Sequence, residues 1–115
     1  MTLAHGLLTL DEINSHLDLE ERNGDLAWPE LVDARAASTD LSADQVRQLV
    51  DRAAGMMRSG ELGPIAIVTG NDVVYGMSRM YSMRAEGIGV RARVFRDMES
   101  AAAWLDEVTG SPQPA

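Results

Sequence analysis

Residues 64–69 read PIAIVT, and this run limits the fold more than any other stretch of the chain. A strand with apolar side chains at consecutive positions has to be covered on both faces. That points to an inner strand of an α/β sheet with helices packed on both sides. Helical patterns flank it. Ser42 and Gln45 have the spacing of a capping box, and Val46, Leu49, Val50, Ala53 and Met57 follow on one face. A helix is therefore expected up to about residue 58. After Gly70-Asn71 another helix is expected, with Val73, Met77, Met80 and Arg84 on one stripe, Val74 and Tyr81 beside it, and Gly87-Ile88-Gly89 as its stop.

The outer parts of the chain repeat this alternation. Thr9 and Glu12 form a capping-box pair, and Leu10, Ile13 and Leu17 share a face, which gives a helix to about residue 19 before the turn signal Asn23-Gly24-Asp25. Residues 31–34 (LVDA) read as a strand entering the core. Residues 90–95 alternate, with Val90, Ala92 and Val94 on one side and Arg91, Arg93 and Phe95 on a wetter one, as at a sheet edge. Asp97 caps a last helix carrying Met98, Ala101, Ala102, Leu105 and Val108 on one face. A short opening strand at residues 2–5 is left open. The expected fold is an α/β domain with a sheet of about four mainly parallel strands and four helices, joined by right-handed crossovers. One domain is expected over residues 1–109, with residues 110–115 (GSPQPA) as a disordered tail.

Composition removes whole classes of chemistry. The chain has no cysteine, so disulfides, thiolate catalysis and thiolate metal sites are excluded. The longest apolar run, Ile65-Ala66-Ile67-Val68, cannot span a bilayer, and the first residues lack the charged and apolar regions of a signal peptide. A cytoplasmic protein with no membrane span is the expectation. The net charge of −8 argues against nucleic-acid binding. The charge is uneven: residues 1–51 are strongly acidic, whereas residues 79–96 carry Arg79, Arg84, Arg91, Arg93 and Arg96 against Glu86 alone. Two solvated faces, an acidic partner or self-association all fit this asymmetry. Every basic residue is an arginine, so a phosphate-binding P-loop has no lysine to use.

No catalytic centre is legible. His5 and His16 are the only histidines, and the acids around His16 (Asp11, Glu12, Asp18 and Glu20) read as a solvated helix face, so no metal and no cofactor are expected. A serine triad would need a histidine base oriented by an acid, and no G-x-S-x-G elbow is present. The pairs Glu20-Glu21 and Asp106-Glu107 are adjacent on helices and point apart. Two places remain. Thr69, Asn71 and Asp72 lie where the central strand turns into a helix, a common ligand position in α/β sheets, and Tyr75 and Arg79 sit one turn apart just beyond. Ser42 lies at a helix N-terminus, where a phosphate would be favoured by the free amides. Chemistry alone favours an ordinary helix cap at either place. Met83 and Met56 are the methionines expected at the surface, Trp104 is expected to anchor the last helix, and Trp28 to cover the core from a loop.

Val32-Asp33-Ala34-Arg35, Asp40-Leu41-Ser42-Ala43-Asp44, Ile65-Ala66-Ile67-Val68, Tyr75-Gly76-Met77-Ser78-Arg79-Met80-Tyr81, Val94-Phe95-Arg96-Asp97 and Trp104-Leu105 together resemble the small bacterial SpoIIAA-like domains of STAS/SEC14 type. The resemblance runs from about residue 6 to residue 105. It implies a STAS-type fold and a non-enzymatic regulatory or protein-interaction module, with Ser42 in a place similar to the phosphoacceptor serine of anti-sigma-factor antagonists. The wider group's Asp-Ser-Ser-Gly pattern is replaced here by Asp40-Leu41-Ser42-Ala43. The alternative is a domain that binds an anion, nucleotide or lipid through Thr69, Asn71, Asp72, Tyr75 and Arg79. A protein partner or a homodimer covering an exposed sheet edge completes the expectations.

Overall fold

A computed structural model of the chain describes residues 1–60 and 62–110. The elements alternate as β1 (Thr2–Leu8), α1 (Leu10–Asn23), β2 (Glu30–Thr39), α2 (Ala43–Ser59), β3 (Ile65–Thr69), α3 (Asp72–Glu86), β4 (Ala92–Phe95) and α4 (Met98–Thr109). The four strands form one parallel sheet in the order β1-β2-β3-β4. Right-handed crossovers between strands taken in sequence put all the connecting helices on one face, here α1, α2 and α3. The last helix, α4, turns back over the other face and packs on β2, β3 and β4.

The alternation of β3 explains both layers. Ala66 and Val68 are fully buried against Ala101 of α4, with Phe95 and Trp104 packed around them. Their neighbour Ile67 faces the three-helix side, together with Val32 and Ala34 of β2 and Val74 of α3. Burying a valine such as Val68 contributes about 2 kcal/mol, so the double-sided run is the centre of the fold as well as its sequence signature. Phe95 and Trp104 meet with ring centroids 5.8 Å apart, which makes Trp104 the expected anchor of α4.

Several elements differ from their sequence reading. The strand expected at residues 31–34 continues to Thr39, because β2 carries a bulge: Leu3 pairs with Asp33, but His5 pairs with Ala36, leaving an extra residue in β2. The bulge breaks the period of two, so Ala34 and Ala37 face the same cluster and the continuation does not read as a strand. The opening strand is real and runs to Leu8. Helix α1 extends one turn past its last apolar residue and stops at Gly24, whose φ of 73° lets its N–H reach the Glu20 and Glu21 carbonyls. The buried stripe of α3 lies one residue later than expected: Val74, Ser82 and Ala85 are buried, whereas Val73 is exposed. Two adjacent valines leave the period unable to choose between the two registers. Phe95 is covered by α4, so the second side of β4 is not uniformly wet. Met83 is exposed as expected, but Met56 is buried and Trp28 is 71% exposed. Gly110 caps α4 with a φ of 62°, and the tail expected after it lies outside the described residues.

Candidate functional site

The three-helix layer does not close fully on the sheet. Between them lies an apolar cavity of about 490 Å³. Ala4, Leu8, Val32, Ala34 and Ile67 form its floor, Val46 and Leu49 of α2 and Val74, Met77 and Tyr81 of α3 its walls, and Ile13 and Leu17 of α1 its roof. The sequence explains the gap. The floor carries alanine at two positions where a larger residue would fill the space, and α1 has no fully buried residue. Its Leu10, Ile13 and Leu17 are only partly buried against Leu41, Val46 and Leu49, and Arg52 of α2 adds polar contacts, donating to the Asn14 carbonyl (3.2 Å), the Asn14 side chain (2.9 Å) and Asp18 (2.5 Å). Burial also raises the pKa of the Tyr81 hydroxyl above its ordinary value.

Polar groups collect at one end of this cavity, where β1 and β2 begin. His16 and Glu20 lie one turn apart on α1, and Glu30 is the first residue of β2. His16 Nε2 is 2.5 Å from Glu20 Oε1 and 3.5 Å from Glu30 Oε1. The Thr2 hydroxyl donates to Glu30. His16 Nε2 is shielded from solvent, yet its approach to the two carboxylates makes no hydrogen bond. Burial, together with the nearby Glu30 carboxylate, raises the Glu20 pKa, and His16 opposes this. Trp28 and Leu26 stand at the same end, next to Gly63. A Cβ on Gly63 would lie 2.4 Å from the Trp28 carbonyl oxygen, so only glycine lets these two loops meet.

This cluster was hidden in the sequence. The four-residue spacing of His16 and Glu20 is visible, but it looks like any charged helix face. Glu30 joins them only through the fold. The expectation of no metal therefore rested on ligand spacing along the chain, whereas these ligands converge from two elements.

The sites read from the sequence lie elsewhere and remain separate. Ser42 is exposed and caps α2: its hydroxyl accepts from the Gln45 amide (3.1 Å) and the Gln45 side chain accepts from the Ser42 amide (3.0 Å). Thr69 is fully buried with its hydroxyl unpartnered. Asn71 caps α3 by accepting from the amides of Val73 and Val74. Asp72 is paired with Arg96 at 2.7 Å, and the Arg96 guanidinium lies 4.1 Å over the Tyr75 ring. These contacts occupy Asn71, Asp72 and one face of Tyr75. Tyr75 and Arg79 do line an open groove of about 610 Å³ along the β4 edge, with Arg91 and Arg93.

Compared with protein-family models, curated proteins and solved structures, the chain shows no significant match in any of the three.

Proposed function

We propose that this chain is a non-enzymatic binding module that takes a small apolar or amphipathic molecule between its sheet and its α1–α3 layer. The apolar cavity carries this reading. Its volume falls within the range of about 300–1,000 Å³ used by small-molecule sites. The cavity opens beside the exposed Leu3 and Trp28, so an apolar occupant would enter from solvent and displace water from apolar walls. Polar groups at one end and an apolar interior suit an amphipathic molecule such as a medium-chain alcohol. The ligand reading drawn from the sequence is thus retained, but its place moves from the α3 loop to the interior.

Titration of isotope-labelled protein with decanol tests this by NMR. Saturable shifts are expected at the methyls of Val32, Ile67 and Met77. Shifts confined to surface groups, or none at the solubility limit, would sink the reading.

A second reading keeps the STAS-like regulatory role, supported by the sequence resemblance and by the exposure of Ser42 at the start of α2. A phosphate on Ser42 in protein taken from its own cells, seen in intact and peptide masses, would favour it. The same sample reports a retained ligand. We also propose self-association through the free edge of β1.

A further inference from the structure

We propose that His16, Glu20 and Glu30 bind one divalent transition-metal ion, with Zn²⁺ suited best by one imidazole and two carboxylates. Three protein donors with an open position are the pattern of accessible zinc sites. Here the donor atoms all lie within 4.8 Å of one another. A Zn²⁺ ion about 2.0–2.2 Å from each donor holds them about 3 Å apart, a distance that small side-chain rotations reach from this arrangement.

Two observations favour a cation over a plain ion pair. Glu20 and Glu30, their side chains 17% and 21% exposed, bring two carboxylates to the single imidazole of His16, so the acids outnumber the base. His16 Nε2 is also shielded from water without donating to either carboxylate. Donor atoms from α1 and from the start of β2 thus converge on one place beside the cavity. The Thr2 hydroxyl on Glu30 supplies the outer hydrogen bond that orients a ligating carboxylate. The cluster lines the cavity, so open coordination positions face its interior, where water or the head group of a bound molecule completes the shell. The site goes beyond the ligand-binding reading and stands whether or not the cavity takes an organic molecule.

The chain suits a clean test, because it has no cysteine and only one other histidine, His5. Chelator-stripped full-length protein is titrated with ZnCl₂ by calorimetry, alongside H16N, E30Q and H5A, with circular dichroism confirming that each variant is folded. One Zn²⁺ per chain is expected, with binding weakened at least tenfold in H16N and E30Q and unchanged in H5A. The imidazole signals of His16 in wild-type protein, followed by NMR during the same titration, give an answer that needs no variant. Absence of Zn²⁺ binding, or binding that moves His5 signals and spares His16, overturns the proposal. Failure of decanol to bind leaves this result untouched, so the two proposals fail separately.

Discussion

At the scale of single residues, the polar contacts are local and their consequences can be signed. Arg35 grips Asp33 through Nε (2.9 Å) and Nη2 (2.8 Å) and adds its backbone amide, which lowers the Asp33 carboxyl from 3.8 to about 2. A carboxyl whose folded pKa lies below its unfolded one supports the fold above the unfolded value. That support is lost as pH falls from about 3.8 to about 2. Asp97, lowered by its bonds to Ser100, acts in the same direction. Urea unfolding followed down this range is expected to show stability falling, with a shallower fall in R35Q; an unchanged slope in that variant would refute the assignment. Ser42 gives a second expectation. S42A should cost about 1 kcal/mol in urea unfolding, whereas S42D should cost little, since aspartate caps as well as serine does. Both cap positions were legible, because capping is written within four residues. The need for glycine at position 63 was not, because it comes from a loop more than thirty residues away.

Among the elements, α1 is the outlier. It has the length and the caps of a stable helix, yet buries no residue fully, and it meets α2 through partly buried Leu10, Ile13 and Leu17 and through Arg52. Helices held by few apolar contacts open at low free-energy cost. Amide hydrogen exchange is therefore expected to be faster in α1 than in α2 or β3, to quicken further in R52A, and to slow when decanol fills the cavity. Exchange in α1 as slow as in β3 would contradict the description of α1 as a loosely held roof. The existence and order of the elements were readable, since each helix carries its own caps and apolar stripe. The cavity was not, because it is a mismatch between layers: Ile13, Leu17, Val32, Ile67 and Met77 all read as core, and no pattern along the chain says that they fail to meet.

Across the whole molecule, the two free edges of the sheet are built differently. The β4 edge carries Arg91 and Arg93, both exposed, and repeated charge is a common way to keep a strand edge from pairing. The β1 edge has no charged side chain between Thr2 and Leu8 apart from the titratable His5, and Leu3 and Leu7 are exposed on it. The lopsided charge of the sequence follows the same axis, with the acids of α1 beside β1 and the arginines at β4. Two modes of association are thus available. Joining β1 of one copy to β4 of the next would match acid to arginine, but head-to-tail contacts of this kind do not close, and they weaken as salt screens the charges. Pairing β1 with β1 closes as a twofold dimer, buries Leu3 and Leu7, and leaves the arginine edge outside. The closed mode is expected, because one edge is blunted by charge and the other is not. Sedimentation at micromolar concentration should then give a dimer whose mass does not change with added salt, and L3K or L7K should give a monomer with unaltered circular dichroism. A monomer in the unaltered chain would rule out association through β1, and oligomers that grow with concentration and dissolve in salt would assign it to the charged edges instead.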